Sequence, residues 1–155
     1  MTARYSIGID LGTTNCVCAY VDLESEAPEI KVLGLRQFVG PNEIETRSSL
    51  PSFLYIPTRQ EGQSGVFEIP DFPSYPTVAG HFARDHAAQQ PEQTISGAKS
   101  WLCHSGVDRH SPILPWNSSD EVPRFSPVTA SRLLLRQMVD AWQEQMPDYP
   151  LANQL

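Results

Sequence analysis

An α/β layer, in which a mixed sheet opening with a β-hairpin packs on helices, is the fold class that the sequence predicts. Three observations carry it. Two short β-patterned segments flank a turn near the N-terminus. Two further strand-like segments follow. One long amphipathic helix with clear start and stop signals lies toward the other end. A β-hairpin joins neighbouring antiparallel strands, and a long helix with one apolar stripe needs a sheet face to cover.

In chain order, Tyr5 to Asp10 alternates Ile7 and Ile9 with small or polar residues, which is strand periodicity. Leu11-Gly12-Thr13-Thr14 is a turn signal, and Cys16 to Val21 reads as the second strand of the hairpin. Glu29 to Leu35 and Phe53 to Ile56, the latter entered through Pro51, predict a third and a fourth strand. Between 57 and 77, Pro57, Pro70, Pro73 and Pro76 break any long element, leaving Val66 to Ile69 as one short strand. His81 to Gln90 predicts a helix with Phe82 and Ala83 on one side, stopped by Pro91. Ala98 to Cys103 predicts one or two helical turns, and Ile113-Leu114 a short strand. The long helix starts at the N-cap Ser126 with Pro127 at its first position and ends at Pro147. Leu135, Met138, Val139, Trp142 and Met146, widened by Leu134, form its apolar stripe. Asp148 to Leu155 reads as a tail.

The 155 residues suit one domain, 1–155, and 40% hydrophobic content supports a core. A charge sum of 11 − 18 = −7, with Lys31 and Lys99 the only lysines, argues against nucleic acid as a partner. No apolar run is long enough to predict a membrane span. The N-terminus lacks the pattern of a secretory signal, so a cytoplasmic location is the expectation. Cys16, Cys18 and Cys103 are odd in number and predict no disulfide framework, and Cys16 and Cys18 should share one strand face as buried small side chains. Cys103-His104 with His110 matches no standard zinc spacing, and the four histidines offer no catalytic triad. A further strand is expected after the last helix, which suggests a fragment of a longer protein.

The chemistry concentrates in Ile7-Gly8-Ile9-Asp10-Leu11-Gly12-Thr13-Thr14-Asn15. Gly12 removes the Cβ that would block a ligand, and successive N–H groups from Gly12 to Asn15 can line an anion nest. The Thr13 and Thr14 hydroxyls add donors suited to phosphate oxygens. A carboxylate at Asp10 would repel bare phosphate, so it calls for a cation between, and Mg²⁺ suits one carboxylate plus substrate phosphates. The pattern is neither a Walker A loop nor a dinucleotide fingerprint.

The string at 7–15 resembles the first phosphate motif of the actin, sugar-kinase and heat-shock chaperone ATPases. More narrowly, it resembles the DnaK-type chaperones, the seventy-kilodalton heat-shock family. Leu50-Pro51-Ser52-Phe53-Leu54 is similar to that family's Thr-Pro-Ser-Tyr-Val segment. Val78-Ala79-Gly80-His81-Phe82-Ala83, then Gln90-Pro91, then Ala98-Lys99-Ser100-Trp101-Leu102, resemble its later blocks in order and at similar spacing. The chain departs from the pattern at Ser100, where arginine is usual, at Cys103, where glycine is common, and in its longer Pro-rich stretch.

The resemblance implies a ribonuclease-H-like, actin-like ATPase lobe with a peripheral subdomain at 37–110. It implies ATP and Mg²⁺ as cofactors, with Asp10 as metal ligand through water and as a catalytic residue. Gly12, Thr13, Thr14 and Asn15 would hold phosphate, and Lys99 would be catalytic at the γ-phosphate. In the full-length protein it implies ATP hydrolysis coupled to protein folding in the stress response, with unfolded polypeptides and co-chaperones as partners. The family's second phosphate motif, Asp-x-Gly-Gly-Gly-Thr, does not occur here, so the chain alone is expected to bind ATP weakly and hydrolyse it negligibly. An actin-like or sugar-kinase ATPase, and a non-catalytic interaction module retaining the fold, remain as alternatives.

Overall fold

The computed structural model describes residues 3–151. Alternation at the N-terminus gives strands β1 (Tyr5–Leu11) and β2 (Asn15–Asp22), paired antiparallel from Tyr5↔Asp22 to Leu11↔Cys16. Partners directly opposite each other share a face. Tyr5, Ile7 and Leu11 therefore stand with Tyr20, Cys18 and Cys16 against the core. Ile9 shares that parity but is 43% exposed, because β1 is the sheet's outermost strand.

The expected third strand is shorter than its pattern. Only β3 (Lys31–Val32) pairs with β2, and Gly34 separates it from β4 (Leu35–Gly40). β4 forms a two-stranded ribbon with β5 (Glu43–Arg47). The expected fourth strand arrives in two parts around Ser52. β6 (Leu50–Pro51) adds to β2, and β7 (Phe53–Tyr55) joins another sheet. β7 divides two cores: Leu54 packs with Ile95 and Trp142 in the larger cluster, Tyr55 with Phe38 and Phe82 in an aromatic one.

Residues 57–77 hold no long element, as the prolines require, yet a short helix forms. In α1 (Arg59–Ser64), Thr58 accepts from the Glu61 N–H, and Glu61 accepts from the Thr58 N–H, which is a capping box. Gly65 closes it at φ 69°. The strand expected at Val66 to Ile69 is not formed. Gly65 and Ile69 carbonyls accept turn bonds from Glu68 and Phe72, and Phe67 serves the aromatic core instead.

β8 (Val78–Ala79) pairs with β7, and α2 (His81–His86) buries Phe82 and Ala83 as expected. The helix stops before Gln90, which Pro91 holds outside the helical region at φ −131°. A 3-10 turn at Pro91–Gln93 leads into β9 (Thr94–Ser96), on the other side of β7. α3 (Ala98–Leu102) follows. Leu114 makes one bridge, to Phe125, where a short strand was expected.

α4 (Pro127–Gln145) begins as its caps dictate: the Ser126 Oγ accepts from the Thr129 N–H. Its buried face runs through Ala130, Leu134, Met138, Ala141 and Trp142. Leu135 and Val139 only flank it, because the alanines that let the backbone approach the sheet recenter the stripe. Trp142 meets Tyr5 and Tyr20 edge-on at 5.3 and 5.4 Å, seating the helix on the hairpin. Part of the expected tail is ordered against this junction: Tyr149 lies 5.0 Å from Tyr5, and its hydroxyl accepts from Arg4 at 2.7 Å. Residues 152–155 lie outside the described residues.

The class is mixed α/β, with several small sheets and few helices. One expectation is corrected: the sheet is not mixed. Every strand pairing among the described residues is antiparallel. A parallel neighbour needs a crossover through a helix, and no described strand follows α4 to complete one.

Candidate functional site

Three residues, Gly12 to Thr14, connect β1 to β2. Gly12 is obligatory by contact: a Cβ there would lie 2.1 Å from the Asn15 carbonyl oxygen. β6 brings Ser52 beside this turn by pairing Leu50 and Pro51 with Cys16 and Asn15. The Ser52 hydroxyl donates to the Gly12 carbonyl at 2.7 Å, and the Ser52 N–H donates to the Thr14 carbonyl at 2.8 Å.

That double latch sets the direction of the amides. The Gly12–Thr13 peptide is trans, so the Thr13 N–H points away from the carbonyl that Ser52 holds. The Asn15 N–H is likewise turned from Ser52. Thr13, Thr14 and Asn15 are exposed, and neither threonine donates a backbone hydrogen bond among the described residues. The turn thus presents free donors on its outer side and is anchored on its inner side.

Beneath it, Cys16 is fully buried, with its sulfur 3.2 Å from the Ser52 oxygen. Ser52 gives its one proton to Gly12, so the thiol is the donor to Ser52. Burial pushes the Cys16 thiol up, against the lowering contacts of Ser52 and Gly12. It stays protonated at neutral pH and acts as packing.

Asp10 and Lys99 are both exposed, and both charges act on the Cys16 thiol, the carboxylate raising it and the ammonium lowering it. Asp10 lies one residue before the end of β1, and Lys99 lies on α3. Neither forms an ion pair among the described residues. A solvated, unpaired carboxylate beside free amide and hydroxyl donors is a donor set that fits hydrated Mg²⁺ with phosphate oxygens. Among the described residues no three His, Cys, Asp or Glu side chains gather as an all-protein metal cage. Cys103, His104 and His110 are exposed and make no such group.

The residue pattern singled out Asp10, Gly12, Thr13, Thr14 and Asn15, which lie in or beside the β1–β2 turn, and the resemblance added Lys99, which lies on α3. It assigned no role to Ser52, whose latch spans 40 residues of chain. The one available signal was a serine directly after Pro51 at the end of a strand segment. A cleft of about 1030 Å³ between Ile56–Arg59, Gln89–Gln93, Ser119 and Glu121–Pro123 shares no residue with the turn. No protein-family model matches the chain, and no curated protein matches it.

Proposed function

We propose that this chain is the phosphate-gripping lobe of an actin-like ATPase of the DnaK-type chaperone family, binding ATP with Mg²⁺. The observation that carries the reading is the latched turn, with free donors outside and the unpaired Asp10 beside it on β1. Thr13 and Thr14 would donate to the β- and γ-phosphates, and Asn15 would add an amide. Mg²⁺, when bound, neutralises phosphate charge, and Asp10 would hold it through water. Lys99, a compact positive charge, would stabilise charge developing on the transferring phosphoryl group. In the full-length protein, hydrolysis would drive the holding and release of unfolded polypeptide segments, with co-chaperones as partners.

One lobe supplies half a clamp. Phosphoryl transfer rests on positioning, so the chain alone should bind Mg-ATP weakly and turn it over negligibly. Titration of the ¹⁵N-labelled chain with Mg-ATP tests this. Amide shifts at Gly12 to Asn15, reduced by Asp10→Asn and tracked by calorimetry as weak binding, are expected. Shifts confined to other elements would remove the basis of the reading, and micromolar affinity would refute the half-clamp.

A further inference from the structure

Along α4, Gln137, Asp140 and Glu144 form a row of polar side chains. Spacings of three and four put all three on one face of the helix. The partners of this row come from the segment 71–77, in reverse order. At one end Arg36 joins the two, donating to the Asp71 carbonyl at 3.2 Å and to Glu144 at 2.5 Å. In the middle the Tyr75 hydroxyl donates to Asp140, which Arg136 also holds. At the other end Thr77 and Gln137 line one cavity without bonding each other.

Thr77 is 3% exposed and Gln137 9%. Neither side chain makes a hydrogen bond to another of the described residues. Ser131 Oγ is the one buried side-chain oxygen or nitrogen among the described residues that is both unpartnered and sealed from water. The polar atoms of Thr77 and Gln137 are therefore reachable by a molecule of water's size.

The cavity they line measures about 10 Å³ and is shared with Gln37, Phe38, Phe67 and Phe72. That is room for a single water. Apolar cavities stay dry, whereas a hydroxyl and a carboxamide without partners draw water in. Gln37 is already committed. Its amide donates to the Leu35 and Ser49 carbonyls at 3.4 and 2.9 Å, and its oxygen accepts from the His81 N–H at 3.0 Å. It can offer only the second lone pair of that oxygen.

We propose that this cavity is a binding site for one ordered water, which bridges the Thr77 hydroxyl and the Gln137 carboxamide. The water accepts from the Gln137 amide and donates to Thr77 Oγ1, and its second proton suits the free lone pair of Gln37. It forms the third rung between the segment 71–77 and α4, beside the direct rungs at Asp140 and Glu144. Thr77 leads straight into β8, so the small sheet meets the long helix through this water. The inference is independent of nucleotide binding.

A crystal structure of this chain, at a resolution that shows ordered solvent, should place one water within hydrogen-bond distance of Thr77 Oγ1 and the Gln137 carboxamide. Thr77→Val and Gln137→Met keep side-chain size and remove the polar atoms. Each bridging partner lost leaves the other group and the water poorly satisfied. In urea unfolding each single variant should therefore lower the folding equilibrium constant at least about fivefold. The double variant should lower it by less than the product of the two losses, because the pair acts through one bridge. No solvent density in the cavity, a direct bond between Thr77 and Gln137, single variants as stable as the parent or more so, or losses that simply multiply would overturn the inference.

Discussion

Gly12 and Ser52 show how much one contact can set. Gly12 has no space for a side chain, since the Asn15 carbonyl oxygen would sit 2.1 Å from a Cβ. The obstacle is backbone, which cannot rotate aside as a flexible side chain would. Gly12→Ala should therefore cost about 1–3 kcal/mol by overpacking, read as a lower urea midpoint. Amide shifts should change at Thr13 to Asn15 while those of α4 hold. An unchanged midpoint would mean that the turn has room to relax. Ser52 matters differently: it satisfies two carbonyls on the inner side of the turn and leaves the outer amides free.

Within the elements, α2 couples packing to pH. Its first residue, His81, has its N–H held by the Gln37 side chain and its ring Nδ1 2.9 Å from Arg84. Burial chiefly, then the positive charges of Arg84 and Arg47, lower its affinity for a proton below the ordinary 6.5. On acidification the unfolded chain takes up this proton before the folded one does. The stabilising contribution is thus complete above 6.5 and declines as pH falls toward the folded value. Urea unfolding at about pH 7 and about pH 5 should show this decline, and His81→Gln should reduce it. Asp22 and Asp108, whose carboxyls are lowered by bonds from Arg4 and from the His110 N–H respectively, act on the acid side of that window. An identical slope in the variant would assign the decline to other groups. The short α1 shows the opposite balance. Its Thr58–Glu61 box and Gly65 stop are local signals, set within a stretch whose prolines break any longer element.

Across the molecule, Trp142 ties the two ends together. It touches Tyr5 and Tyr20 of the hairpin, and its indole N–H donates to the Tyr149 carbonyl at 2.6 Å. Trp142→Ala should cost about 3–5 kcal/mol and release both the C-terminal segment and α4 from the sheet. Urea unfolding would report the loss, and amide exchange would rise first at Tyr5 and Tyr20. Protection unchanged at those strands would show that α4 is held by other contacts.

The hairpin, its glycine turn and the capped α4 could be read from residue order, because alternation, a turn glycine and an N-cap serine act over a few neighbouring positions. The candidate residues at 10–15 were legible for the same reason. The resemblance of later blocks pointed to Lys99, which lies on α3. Ser52 on the Gly12 and Thr14 carbonyls, Tyr149 on Arg4, Phe67 in an aromatic core instead of a strand, and the antiparallel pairing of every described strand came from the folded chain. Each depends on partners far apart in sequence, chosen by competition for one packed space, and local backbone preference carries no record of that competition.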